Sequence, residues 1–197
     1  DSVSEAFRII RTNMDFMRVK SDKLQVVMFT SANPGAGKTF VSSNLAMSIA
    51  QTNKKVVLVD VDIRKGTLSG IFSNSSNRMG LTHYLSGSTD KVDDIVGMSE
   101  EFEKLDVIFS GPVPPNPAEL LLSERFDRLI AELRKRYDYI IVDNVPAGIV
   151  ADASIVNRVA DLTIFVVRSG VMDRRQLPEL ENMYRQEQLH NLSVILN

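Results

Sequence analysis

The eight residues Ala32-Asn33-Pro34-Gly35-Ala36-Gly37-Lys38-Thr39 leave a short apolar run and enter a stretch of helical spacing. They match the phosphate-loop pattern G-x-x-x-x-G-K-S/T except that Ala32 replaces the first glycine. Small residues at these positions let backbone N–H groups wrap the β- and γ-phosphates of a nucleotide, and the helix that follows points its positive end at them. Asn33, Pro34, Gly35, Ala36, Gly37, Lys38, Thr39 and Phe40 are therefore candidate nucleotide-binding residues. Lys38 would neutralise phosphate charge, and Thr39 would offer its hydroxyl to Mg2+. The plainer alternative is an ordinary strand-turn-helix with a glycine-rich turn.

Binding a nucleotide is not yet chemistry; phosphoryl transfer also needs carboxylates that hold a metal. Asp60 and Asp62 close an apolar run in Val57-Leu58-Val59-Asp60-Val61-Asp62-Ile63-Arg64, and Asp143 closes another in Ile140-Ile141-Val142-Asp143. Carboxylates two residues apart on an extended chain point to the same side, so Asp60 and Asp62 can share one Mg2+-centred site. Asp143 resembles a Walker B aspartate, which holds the metal through water. Taken singly, each acid could instead cap a helix or face solvent in a turn. Arg168 ends a later apolar run on the same side and is a candidate nucleotide contact, with a surface ion pair as the alternative.

The elements that must position these residues follow from hydrophobic periodicity. Continuous Val/Ile runs predict strands at 26–29, 56–59, 106–109, 139–143, 162–167 and 193–197. Helical spacing predicts helices at 4–19, 39–51, near 80–86 and 90–97, and at 123–136, 152–158 and 175–189. Buried strands alternating with helices imply an α/β fold, a parallel sheet covered on both faces, whose ligands sit at the carboxyl ends of the strands. The candidate residues cluster at those ends. In the first helix Phe7, Ile10, Met14 and Met17 form one apolar stripe, while Glu5, Arg8 and Arg11 drift around another face at i, i+3 and i+6. The tract Arg134-Lys135-Arg136 reads as a solvated helix end favoured by the helix dipole.

Composition removes other chemistries. A chain of 197 residues with 44% hydrophobic residues can build one well-filled domain. A formal charge of -2 gives no general basic surface for nucleic acid or an anionic membrane. With no Cys and only His83 and His190, thiolate sites, disulfides and histidine metal clusters are excluded. No apolar run is long enough to span a bilayer. The non-Met start and the abrupt end after Val194-Ile195-Leu196 suggest a piece of a longer protein.

Together these motifs resemble the bacterial tyrosine kinase (BY-kinase) family, the cytoplasmic kinase domains of capsule and exopolysaccharide co-polymerases. The resemblance rests on the Ala-led phosphate loop and on three apolar residues followed by D-x-D-x-R at Asp60, Asp62 and Arg64. It also rests on an E-x-x-R-x-x-R helix at Glu5, Arg8 and Arg11, and on the segment Gly111-Pro112-Val113-Pro114-Pro115-Asn116-Pro117-Ala118-Glu119-Leu120-Leu121. It implies a P-loop fold with an oligomerisation helix at 1–20 and a kinase domain at 21–197. It implies ATP or ADP and Mg2+ as cofactors and a catalytic set of Lys38, Asp60 and Asp62, with Asp60 accepting the tyrosine proton. Thr39, Asp62 and Asp143 would hold the metal. It implies a homo-oligomeric ring, an octamer, closed through Glu5, Arg8 and Arg11, in which one subunit phosphorylates the C-terminal tyrosine tail of the next. It further implies a membrane co-polymerase region, fused or separate, and a place at the cytoplasmic side of the bacterial inner membrane, with no nucleic-acid partner. From the residues alone, the assignment of roles between Asp60 and Asp62 stays open.

The sequence departs from the family pattern in three places. Asp143-Asn144-Val145-Pro146 replaces D-S/T-P-P, Thr67 stands where some members carry a gating tyrosine, and the C-terminal tyrosine cluster is absent. Two other functions share the phosphate loop. A partitioning or division-site ATPase would carry a signature Lys five residues before Lys38, where this chain has Asn33. A non-catalytic assembly module would use ATP only to control ring formation.

Overall fold

The computed structural model describes residues 2–20, 24–66, 68–72, 79–99, 101–147 and 152–197. Thr67, the position of the gating tyrosine in some relatives, lies outside the described residues. The strands are β1 (Val26–Thr30), β2 (Val56–Asp60), β3 (Gly97–Met98), β4 (Leu105–Ile108), β5 (Tyr139–Asp143), β6 (Leu162–Val167) and β7 (Leu192–Leu196). The helices are α1 (Ser2–Lys20), α2 (Lys38–Ala50), α3 (Leu81–Leu85), α4 (Pro117–Leu122), α5 (Glu124–Arg136), α6 (Asp152–Asn157) and α7 (Leu177–Arg185).

The strands form one sheet in the order β3-β4-β2-β5-β1-β6-β7, parallel throughout except where β3 pairs antiparallel with β4 at the edge. Side chains alternate across a strand, so each apolar run feeds two cores. Val26 and Met28 join Val57, Val59, Ile140 and Val142 beneath Leu81, Phe126, Leu129 and Leu133 of α3 and α5. Val27 and Phe29 join Leu58, Ile141 and Ile164 on the opposite face beneath Val41, Leu45 and Ile49 of α2. Fully burying one such Leu or Phe contributes about 2–3 kcal/mol. That burial makes the sheet a rigid support for the loops at its carboxyl edge.

α2 is covered a second time, by α1. Phe7 and Met14 of α1 are buried on it, and the Phe7 ring meets Phe40 edge-on at 6.1 Å. Polar contacts fix α1 against α2 and against the start of β5. Arg11 donates to the Ser48 carbonyl at 2.8 Å, the Tyr139 hydroxyl donates to Asp15 at 3.1 Å, and the Arg18 guanidinium lies 5.0 Å over the Tyr139 ring. Arg8 pairs with Glu5 on the open face, where Ile9 and Phe16 are also exposed. The two arginines of the E-x-x-R-x-x-R pattern therefore do different things within one chain. Arg11→Glu should cost about 1–2 kcal/mol in urea unfolding, and Arg8→Glu less than about 0.5 kcal/mol. Equal costs would mean that Arg11 does not hold α2 in solution.

Two expected helices differ in the structure. The helix near 90–97 shrinks to a single 3-10 turn at Val92–Asp94, because Gly97 and Met98 instead extend the sheet edge against β4. The helix at 175–189 becomes a 3-10 turn, Arg174–Gln176, followed by α7, which stops before Glu187 takes a left-handed φ of 51°. The basic tract 134–136 is not merely solvated. Arg134 makes a bidentate contact with Asp161 at 2.8 and 2.9 Å, and Asp161 in turn accepts the Gln25 and Val26 amides at the start of β1. α4, which begins at Pro117, is not among the expected helices.

Candidate active site

The carboxyl ends of β1, β2 and β5 lie side by side. Phe29 and Asp60 both register against Asp143, so the phosphate loop and both acidic strand ends share one edge. The loop between β1 and α2 can close tightly only because Gly35 and Gly37 take φ of 78° and 90°, values that disfavour any side chain. At Gly37 a Cβ would also collide with the Asn197 amide. Lys38 and Thr39 then open α2. Pro34, Gly35, Gly37, Lys38, Thr39 and Phe40 line a cleft of about 510 Å3, whose other wall is Asp62, Arg64, Lys65, Ile71, Val145 and Pro146.

Thr39 Oγ1 donates to Asp143 Oδ2 at 2.7 Å, which joins the hydroxyl and the carboxylate predicted to meet the metal. Lys38 sits between acids. Burial pushes its ammonium below the ordinary lysine value, and the charges of Asp143 and Asp62 oppose that shift. Asp62 lines the cleft and accepts the Lys65 amide at 3.1 Å. Asp60 is fully buried instead, and accepts the Asp62 and Leu68 amides at 3.1 and 3.0 Å. Desolvation raises its carboxyl to about 7, with the neighbouring Asp143 adding to the rise, against the lowering effect of the two amides.

A folded-state value near 7 against an unfolded value near 3.8 means that the native state binds the extra proton. Asp60 therefore costs stability progressively as pH rises from about 4 to 7. Asp60→Asn, which cannot ionise, should gain on the wild type across that window by up to roughly 4 kcal/mol in metal-free buffer. Urea unfolding of both proteins at pH 5 and pH 8 checks this, and a difference that does not change with pH would contradict it.

Thr39, Asp62 and Asp143 present only hard oxygen donors, the set that suits Mg2+. Among the described residues no three His, Cys, Asp or Glu side chains converge as a self-sufficient metal cage. The Asn144 departure does not touch this set, because its side chain turns inward, 1% exposed, with its amide 3.2 Å from Met28 Sδ.

Three residues predicted to contact nucleotide, Asn33, Ala36 and Arg168, do not line the cleft, and Ala36 is buried. Asn33 pairs amide to amide with Gln176, and Arg168 donates to the Gly35 carbonyl at 2.9 Å. Asn33, standing where the partitioning ATPases carry their signature Lys, is thus engaged within its own chain. Sequence reasoning missed Gln176, Asn197, Ile71 and Lys65, which lie outside the phosphate-loop and acidic motifs and reach the loop or the cleft only through folding.

A glycine-cradled loop between β1 and α2, with acids at the ends of the adjacent β2 and β5, defines a P-loop nucleotide-binding protein. A family profile described as an AAA domain matches residues 24–190. The tyrosine-protein kinase CpsD of Streptococcus pneumoniae is 38% identical over 193 residues, covering 98% of this chain and 83% of its own length. The tyrosine-protein kinase Etk of Escherichia coli is 37% identical over the whole chain, which spans 27% of that relative. The solved kinase domain of Etk superposes with a TM-score of 0.91 at 36% identity, covering 100% of this chain and 76% of its own. The chain belongs to the bacterial tyrosine kinase family and is a protein tyrosine kinase. The septum site-determining protein MinD of Pyrococcus horikoshii, solved with Mg-ADP, covers 88% of this chain and 70% of its own at a TM-score of 0.71 and 23% identity, and shares the fold alone.

Proposed function

We propose that the chain transfers the γ-phosphoryl group of ATP to tyrosines in the C-terminal tail of a neighbouring subunit, in the service of capsule or exopolysaccharide export. The observation that carries this is the cleft itself. One wall is a phosphate cradle ending in Lys38 and Thr39, and the other carries Asp62, Arg64 and Lys65 beside the apolar Ile71, Val145 and Pro146. A hydrolase needs to admit only water, whereas the apolar side chains in this cleft suit an aromatic acceptor. When bound through Thr39, Asp62 and Asp143, Mg2+ would neutralise phosphate charge. Lys38 would hold the phosphates, and Asp60 would accept the tyrosine proton. Burial raises the Asp60 carboxyl above the ordinary range in the metal-free chain, which makes it a stronger base than an exposed aspartate. Because the Asp62 and Leu68 amides hold Asp60, these two hydrogen bonds must yield for that transfer.

Assembly would use α1. Its open face carries Glu5, Arg8, Ile9 and Phe16, while its other face is committed to α2. In the proposed octameric ring that open face docks on the next subunit. No helix among the described residues is long and apolar enough to cross a membrane, so membrane attachment is assigned to a co-polymerase partner or region. Arg8→Glu should abolish the ring while the domain stays folded, and small-angle scattering of the variant checks it. A surviving ring would remove α1 from the interface. For the reaction itself, protein carrying the acceptor tail is incubated with ATP and Mg2+ and its phosphotyrosines are mapped by mass spectrometry. Phosphate on tail tyrosines is expected; free phosphate without phosphotyrosine would favour an ATPase.

A further inference from the structure

In the phosphate loop, the N–H groups can serve a ligand only if the carbonyls are disposed of elsewhere. A planar trans peptide directs its C=O and N–H to opposite sides, so whatever holds a carbonyl also aims the next residue's N–H. Two consecutive loop carbonyls are held by side chains from the far end of the chain. Arg168 Nη1, just after β6, donates to the Gly35 carbonyl at 2.9 Å. Asn197 Nδ2, just after β7, donates to the Ala36 carbonyl at 3.0 Å. These contacts turn the Ala36 and Gly37 N–H groups away from Arg168 and Asn197.

The base of the loop is gripped as well. Asn33 and Gln176 exchange hydrogen bonds of 2.8 and 3.2 Å, and Gln176 is itself fixed by the Asp173 amide at 3.1 Å. The Asn33 carbonyl itself accepts from Ser31 Oγ at 2.8 Å, and the Pro34 nitrogen of that peptide carries no N–H to be aimed. The grip therefore falls on two carbonyls and on the Asn33 side chain, and on none of the loop N–H groups.

We propose that Arg168 and Gln176, supplied by the segment between β6 and α7, are positioning residues that hold the phosphate loop in its nucleotide-ready shape without touching the nucleotide. This rests on the reading of the loop as the ATP site. It explains why Arg168 lies at the correct strand end yet is not part of the cleft wall. It also gives Asn33 a use in place of the trans-acting Lys of the partitioning ATPases. Arg168 and Gln176 act on phosphate affinity through the loop, so their loss should weaken binding of the substrate and of the transition state about equally.

The test compares ADP affinity by calorimetry and steady-state kinetics for wild type, Arg168→Met, Arg168→Lys, Gln176→Leu and the control Lys38→Met. Arg168→Met and Gln176→Leu should each raise the ADP Kd and the KM for ATP about tenfold, the equivalent of roughly 1.4 kcal/mol. kcat and the KM for the acceptor tyrosine should hold. Arg168→Lys, which keeps a donor, should recover most of the loss, a pattern that general destabilisation would not produce. Unchanged ADP affinity in both Arg168→Met and Gln176→Leu overturns the proposal, as does a fall in kcat with KM constant. Wild type that binds ADP tightly without forming phosphotyrosine would instead sink the kinase reaction and leave the positioning role standing. Equal ADP affinity in wild type and Lys38→Met would overturn both.

Discussion

Lys38→Met is expected to lower tyrosine phosphorylation by at least a hundredfold while the domain stays folded. The ammonium is half-buried at the start of α2, with Asp143 and Asp62 as its nearest opposing charges and Lys65 as a like one. In that poorly solvated position a single cation directed at the transferring phosphoryl group is worth far more than on the surface, and loss of one such group typically costs two to three orders of magnitude in rate. Met keeps the length and packing of the stem. Removing the charge also removes its own burial penalty, so stability should change by less than about 1 kcal/mol. Phosphotyrosine mapping by mass spectrometry, with thermal unfolding run in parallel, decides it. Undiminished phosphotyrosine in a folded variant would place the reaction at another site.

The second large effect separates the two acids of the D-x-D pair. Asp60→Asn should cut kcat at least a hundredfold with ADP affinity and Mg2+ requirement near wild type, because it removes a proton acceptor. Asp62→Asn should raise the Mg2+ concentration needed for half-maximal rate about tenfold or more, with part of kcat recovered at high Mg2+, since it weakens a metal ligand on the cleft wall. The opposite pattern would make Asp62 the base and leave Asp60 to hold the Asp62 and Leu68 amides. The geometry gives that outcome a clear form, because Asp62 already faces the cleft while Asp60 is fully buried.

Much of the core machinery was legible from local pattern. The Val/Ile runs became buried strands, and the Gly-rich loop became a left-handed turn feeding a helix. Thr39 meets Asp143 as its place in the motif implied. These features are short-range, being set by apolar periodicity, by φ preferences and by residue types at fixed offsets. The misreadings fall where long-range packing competes with local preference. Val92, Ile95 and Val96 carry helical spacing, but the next residues pair with β4 and the helix does not form. Arg134 looks like a dipole-stabilised surface charge, and only the approach of Asp161 turns it into a clasp at the start of β1.

By itself the sequence determined the α/β sheet, the phosphate loop, the acids at strand ends and, through their combination, the kinase family. All of these follow from residues close along the chain. Only the tertiary structure decided which of two neighbouring acids reaches the cleft, and which of two helix arginines is already committed to its own chain. It alone brought Arg168, Gln176 and Asn197 onto a loop more than 130 residues away. The physical reason is that a strand end fixes only where a side chain starts. Its exposure, its charge state and the carbonyl it meets depend on distant elements that pack against it, and no local pattern carries that information.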